Sequence, residues 1–314
     1  MSDERQLQPG DEIVVPGSTS NLGPGFDALG LAVDVSLRLR VTSVGEGPPG
    51  RLTWRFRRQP CPGPGENAVE RGFLSLAHSS ASGQLPALVV DVDSDIPMRA
   101  GLGSSAAAAV AGMRLYEAVT GSVGRQRLLD ASARLEGHPD NSSASVLGGF
   151  VASCVASDGR VAAVARPWPS ELRVVVATPA ATLETSVARR ALPSVVPLAD
   201  AVANVQRTAL LVQAIAAGNR QVLREAFRDR LHQPYRAALV PGLDRALAFE
   251  HPSLYGVFLS GAGPSIAAIV DDDGTAARGL FEKLYADLRL ACVVRTLSVV
   301  QPFGERGQTG VPGA

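Results

Sequence analysis

The sequence predicts an α+β fold divided between two domains. Three observations carry this. Stretches with strand-like alternation and stretches with helical spacing interleave without a strict βα repeat, which argues against a doubly wound parallel sheet. The proline-rich run Arg166-Pro167-Trp168-Pro169-Ser170-Glu171 breaks the chain near its middle. A length of 314 residues at 46% hydrophobic content suffices for a sizeable core, in one large domain or two of ordinary size.

The elements follow in order. Residues 1–10 read as a loose arm. Residues 11–15 and 33–44 read as strands, the second because Val33, Val35, Leu37, Leu39 and Val41 alternate. The stretch 16–27 between them is dense in Gly, Pro, Ser and Asn and reads as a loop. Residues 45–50 form a turn, 52–56 alternate as a strand and 59–65 make a rigid loop. A helix is predicted over 66–78, where Ala68, Phe73, Leu74 and Ala77 share one face. Residues 88–92 read as a strand. Alanine is the strongest helix former, so the alanine-rich run starts a helix near Ser104. Helices over 124–135 and 142–147 follow, then a strand over 148–153. After the break come a strand at 172–177, helices near 198–217, 219–231 and 242–250, and strands at 257–259 and 266–270. A helix over 275–287, a strand over 291–299 and a disordered tail over 303–314 complete the chain.

Bulk properties exclude several functional classes. Formal net charge is zero and the isoelectric point is about 6.9, which argues against nucleic acid or an anionic membrane as a main partner. Cys61, Cys154 and Cys292 are scattered without metal spacing, which suits a reducing cytoplasm. The charged N-terminus has no apolar signal core.

Four motifs carry the chemistry. Ile96 to Ala109 contains Gly101-Leu102-Gly103-Ser104-Ser105 at a helix start. The first N–H groups of a helix lack intrahelical partners and its dipole is positive there, so this segment suits phosphate. It is not a Walker A loop, which needs a lysine; the single lysine, Lys283, lies far away. The loop Pro16-Gly17-Ser18-Thr19-Ser20-Asn21-Leu22-Gly23-Pro24-Gly25-Phe26-Asp27 can bend around a ligand and point Asn21 and Asp27 into one cleft. Glu136-Gly137-His138-Pro139-Asp140-Asn141 puts two further carboxylates and an amide at a helix end, and Glu136 suits Mg²⁺ on a nucleotide. Ser260-Gly261-Ala262-Gly263-Pro264-Ser265 offers close backbone approach at a strand exit. Each motif alone also suits an ordinary turn or cap.

In this order and spacing the four motifs resemble those of the GHMP small-molecule kinases, and within that superfamily most closely the homoserine kinases. NLGPGFD and EGHPDN carry the finer resemblance, which runs from about residue 11 to 302. It implies a ribosomal-S5-like N-terminal domain over 11–165 and a ferredoxin-like C-terminal domain over 166–302, with ATP and substrate in the cleft between them. It also implies ATP-dependent phosphorylation of the L-homoserine hydroxyl on the route to threonine, by a cytoplasmic homodimer.

The residue roles implied by the resemblance are these. Arg99, Ala100, Gly101, Leu102, Gly103, Ser104, Ser105 and Ala106 line the triphosphate, and Asn67 lies near the base. One of the two serines, assigned as Ser105, joins Glu136 around Mg²⁺. Asn21 and Asp27 face the ammonium and the hydroxyl end, and Thr185 and Gly261 border the amino acid. Arg189 and Arg236 match arginines that bind the α-carboxylate, for which a planar guanidinium is well shaped. Asp140 and Asn141 sit near the reacting hydroxyl; an amide cannot accept its proton, which favours transfer to the phosphate itself, with Asp140 orienting the hydroxyl and giving moderate assistance. Two other readings share the motifs: a GHMP kinase for a mevalonate- or sugar-type substrate, and a non-catalytic metabolite sensor. The arginine pair speaks against the first, and retention of Ser105 and Glu136 against the second.

Overall fold

A computed structural model describes residues 6–63, 65–77 and 85–304. Most of the expected disordered tail and the first half of the expected N-terminal arm lie outside the described residues.

The first half of the chain runs β1 (Glu12–Ser20), β2 (Leu29–Val44), β3 (Leu52–Phe56), α1 (Ala68–Ala77), β4 (Leu88–Ser94), α2 (Ser104–Thr120), α3 (Arg125–Glu136), α4 (Asp140–Leu147), β5 (Phe150–Val155) and β6 (Val161–Arg166). Its strands form one sheet in the order β3-β4-β2-β5-β6, with β1 also on β2. Only β3 and β4 run parallel. At 16 residues, β2 is long enough to pair with β1, β4 and β5 at once.

The second half runs β7 (Arg173–Pro179), α5 (Thr185–Arg190), α6 (Leu198–Ala217), α7 (Leu223–Ala226), α8 (Gln233–Arg236), α9 (Leu243–Leu247), β8 (Leu254–Leu259), β9 (Ile266–Val270), α10 (Thr275–Asp287) and β10 (Cys292–Leu297). The sheet order β10-β7-β9-β8, antiparallel throughout, is the ferredoxin-like arrangement that the family resemblance implies. Side chains alternate along β7: Val174 and Val176 join the core shared with the first half, while Val175 and Ala177 face Phe281 and Leu284 in a second core. No helix of the described residues is long and apolar enough to cross a membrane.

After β10 the chain returns to the first sheet. Val300 N–H donates to Ala32 O, Asp34 N–H to Ser298 O, and Phe303 N–H to Leu147 O. This strap fills β2 between the parts held by β5 and β4.

Several boundaries differ from the sequence reading. β1 continues to Ser20, so the first motif is strand up to Asn21 rather than loop from Pro16. Pro16 is tolerated because a register shift between Pro16 and Gly17 interrupts the ladder there. The helix expected over 219–231 shrinks to α7, because the Asp229 carboxylate accepts the N–H groups of Leu231, His232 and Gln233 and turns the chain. The helix expected over 242–250 ends at Leu247. The sequence reading contains neither α5 nor β6.

Candidate active site

The glycine loop meets α2 as its spacing implies. Ala107 is the first residue of the helix whose N–H reaches a backbone carbonyl four residues back, that of Gly103, and no side chain caps this end. Ser104, Ser105 and Ala106 therefore present their N–H groups to a cleft of about 270 Å³, at the positive end of a 17-residue helix. The glycines serve the protein's own packing as well. Gly101 has φ +80°, and a Cβ there would stand 2.2 Å from Ser260 O; at Gly103, with φ +68°, it would stand 2.3 Å from Ser18 Oγ. Only glycine lets the loop lie this close to both neighbours.

Buried hydrogen bonds knit the four motifs together. Ser18 Oγ donates to Asn141 Oδ1 (2.8 Å), and Asn141 Nδ2 donates to Ser20 Oγ (2.8 Å). Ser260 Oγ lies 2.8 Å from Thr19 Oγ1 and donates to Gly101 O (2.6 Å). Asn21 Nδ2 donates to Gly261 O (2.8 Å), while its Oδ1 accepts the Asp27 N–H (3.0 Å). Asn21 and Asn141 both line the cleft, and both spend their amides aligning its walls.

Beside the start of α2, Ser105 Oγ donates to Glu136 Oε1 at 2.8 Å. Here a hydroxyl and a carboxylate meet beside the helix N-terminus. Both are hard oxygen donors, the set that Mg²⁺ selects alongside phosphate oxygens, so these residues fit the ion.

The opposite end gathers charge. Arg189 grips Asp27 through two hydrogen bonds, Nη2 to Oδ1 at 2.7 Å and Nη1 to Oδ2 at 3.1 Å. Arg236 is 2% exposed and has no carboxylate within salt-bridge range among the described residues. Its Nε donates to Ala188 O (3.2 Å), and its Nη1 lies 3.4 Å from Gly261 O and 3.2 Å from His232 Nδ1. The Phe26 ring packs against both guanidinium groups, 5.2 Å from that of Arg236 and 5.8 Å from that of Arg189. Burial and the nearby Arg189 charge lower the Arg236 pKa to about 10, so it remains a cation at neutral pH.

His138 and Asp140 form a tight pair, Nδ1 to Oδ1 at 2.5 Å, and Asp27 lies close to both. Burial opposes charge on each. The opposite partner outweighs it, raising the His138 pKa and, with the Asn141 N–H bond, lowering that of Asp140. A raised pKa keeps the imidazole protonated to a higher pH than a free histidine. The His138 ring is thus expected to titrate at a higher pH than a free histidine, read by NMR. In Asp140→Asn its midpoint is expected to fall below the wild-type value.

Most of the residues assigned from sequence line this one cleft: Asn21, Asp27, Arg99, Gly101, Gly103, Ser104, Ser105, Ala106, Glu136, Asp140, Asn141, Thr185, Arg189, Arg236 and Gly261. Three do not. Ala100 and Leu102 are buried, and their carbonyls accept the N–H groups of Ser265 and Ser18. Asn67 Oδ1 caps α1 by accepting the Val69 and Glu70 N–H groups. Arg99 pairs with Glu184 at 3.6 Å on the cleft rim. Phe26, Arg71 and His138 line the cleft without an assigned role in the sequence reading. Phe26 and His138 sit inside motifs read from the sequence; Arg71 carries no signal among so many arginines.

The GHMP kinases N terminal domain family matches residues 67–149, and the GHMP kinases C terminal family matches residues 211–284. A homoserine kinase of Solibacter usitatus is 39% identical over 280 residues, covering 86% of this chain and 88% of the relative. One from Thermus thermophilus is 39% identical over 260 residues, covering 82% of this chain and 86% of its own length. The crystal structure of homoserine kinase from Cytophaga hutchinsonii superposes with a TM-score of 0.79 at 25% identity, covering 95% of this chain and 97% of that one. An uncapped helix start and a paired acid and arginine thus line one cleft in a chain that these relatives match over more than four fifths of its length, and the chain belongs to the homoserine kinase family of the GHMP kinases.

Proposed function

We propose that the protein transfers the γ-phosphoryl group of ATP to the side-chain hydroxyl of L-homoserine. One observation carries this reading: a buried Arg236, with no carboxylate partner among the described residues, opens onto the same cleft as the uncapped start of α2. A desolvated guanidinium needs an anion, and an α-carboxylate suits it in shape and charge.

The remaining groups fit an amino-acid zwitterion. Arg189 turns from Asp27 to share the carboxylate with Arg236, and Asp27 receives the α-ammonium. Each charge of the protein pair then recovers a partner, so binding leaves no orphan. Asn21, Thr185 and Gly261 border this pocket. The short aliphatic arm of the substrate carries its hydroxyl toward α2.

At that end the N–H groups of Ser104, Ser105 and Ala106 take phosphate oxygens, with Gly101 and Gly103 permitting close approach and Arg99 at the rim. We assign Asn67 to the side of the nucleotide base. Ser105 and Glu136 would hold Mg²⁺, which supplies charge neutralisation for the β- and γ-phosphates. Asp140 and Asn141 orient the hydroxyl. The oxygen forms its bond to phosphorus as the bond to ADP breaks, and the hydroxyl proton passes to the phosphoryl oxygens. Asp140 is held by His138 and the Asn141 N–H, so its part is orientation with moderate assistance. Asp140→Asn is expected to lower kcat by about tenfold to a hundredfold. Glu136→Gln should lower kcat by about a hundredfold and raise the Mg²⁺ concentration for half-activity, read in a magnesium titration. We place the reaction in the cytoplasm, on the route to threonine, and expect a homodimer.

The direct test is ADP release with ATP and Mg²⁺ on L-homoserine, L-serine, L-threonine, mevalonate and galactose. Turnover on homoserine alone is expected. Preference for mevalonate or galactose would remove the zwitterion site and keep the phosphate loop, whereas preference for L-serine or L-threonine would keep both and change the length of the aliphatic arm. Nucleotide binding without turnover on any of them would favour a sensor.

A further inference from the structure

We propose that His232, as a neutral imidazole, is a positioning residue that aims Arg236 at the substrate carboxylate; this rests on the homoserine kinase reading. The His232 side chain is fully buried. Its Nε2 lies 2.8 Å from Gly23 O, and its Nδ1 lies 3.2 Å from Arg236 Nη1.

These two distances fix the tautomer. A carbonyl oxygen can only accept, so Nε2 carries the proton. A guanidinium can only donate, so Nδ1 must accept. A protonated ring would turn a second N–H toward Arg236 and bury two cations side by side. Burial also lowers the His232 pKa, against the pull of the Asp229 carboxylate 3.7 Å from Nε2.

The donor count of Arg236 shows what this bond achieves. A guanidinium has five N–H donors. Nε–H goes to Ala188 O, and the two protons of Nη1 go to Gly261 O and His232 Nδ1. The two protons of Nη2 have no partner among the described residues and remain for a ligand. Phe26 locks the plane, stacking on the His232 ring at 5.2 Å and 22° while lying 5.2 Å from the Arg236 guanidinium carbon. His232 thus holds Arg236 without neutralising it, which a carboxylate in the same place would do.

Two amide substitutions separate the ring's halves. In His232→Asn the amide oxygen falls near the place of Nδ1 and can still accept from Arg236. In His232→Gln the amide reaches the place of Nε2 and can serve only Gly23. The expected result is a KM for homoserine raised by about tenfold in His232→Gln, the scale of one hydrogen bond to a charged group. His232→Asn should stay within about threefold of wild type. The KM for ATP and the affinity for a non-hydrolysable ATP analogue should not change in either variant. Equal defects in both variants, a larger defect in His232→Asn, or no defect in His232→Gln would overturn the proposal. The ¹⁵N shifts of His232 in the wild-type protein test it without any variant: a protonated Nδ1 at neutral pH would also overturn it. Absence of homoserine turnover in the wild type would instead sink the functional reading, and the tautomer measurement would still decide the bond to Arg236.

Discussion

Arg236→Leu is expected to lower kcat/KM for homoserine by about a thousandfold. Removing one member of a buried ion pair costs roughly 3–5 kcal/mol, and in the substrate complex Arg236 is the buried member that meets the carboxylate. Its loss leaves the substrate anion desolvated between Phe26 and the Gly261 carbonyl. Arg189 remains, but it must first give up its pair with Asp27 and cannot replace the second guanidinium. Affinity for an ATP analogue should be unchanged, since the start of α2 holds the phosphates independently. Stability should change little, because an apolar side chain in place of an unpaired buried charge is often neutral or favourable. Arg236→Lys should recover little activity: a point charge cannot donate to Ala188 O, Gly261 O and His232 while still offering two protons to a ligand. Steady-state kinetics with calorimetric nucleotide binding and a thermal melt read all of these outcomes.

Gly101→Ala is the second large effect, and it acts on both nucleotide binding and stability. The added Cβ meets a backbone carbonyl, that of Ser260, which cannot rotate away as a side chain could. The positive φ adds strain of about 1–3 kcal/mol. The loop must retreat from the 260–265 segment, which carries Ser104 and Ser105 away from their places. Affinity for an ATP analogue is expected to fall by more than about tenfold, and Tm by about 5 °C or more. Gly45→Ala is the control: Gly45 has a similar φ of +81°, but a Cβ there would meet nothing within 4 Å, so strain acts without a clash. Its Tm should move much less, and nucleotide binding not at all.

The readable parts of the fold are those whose signal is local. α10 spans Thr275–Asp287 and β9 spans Ile266–Val270 as expected, because Gly274 opens the helix and the strand is an unbroken apolar run. α2 begins at Ser104 for the same kind of reason. Sequence reading fails where a distant partner decides. Ser18, Thr19 and Ser20 have loop-like composition, yet they extend β1 because β2 and Asn141 take up their polar groups. The stretch 219–231 has helical composition, but Asp229 captures the following N–H groups. β6 reads Val-Ala-Ala-Val-Ala-Arg, with small side chains and no strict alternation, too weak a pattern to read alone. The site divides in the same way. Its motifs are visible, but the pairing of Asp27 with Arg189 spans 162 positions, and nothing local in the sequence announces it. The bond from Arg236 to His232 lies within one short motif, and it needs burial to acquire meaning.

The strap at 298–303 bears on how the cleft can open. The chain passes from the first sheet to the second through residues 167–172, where Trp168 is packed edge-on against Phe150, and returns through the strap. Gln301 ties the two passages together by hydrogen bonds to the Trp168 backbone in both directions. Two halves joined at one point swing about it freely; a second connection and a shared apolar core resist that motion. Large changes in the spacing of the cleft walls are therefore opposed. Adjustment on binding falls to short pieces at the mouth, above all the six-residue α5, whose Arg189 must release Asp27 before an amino acid can settle.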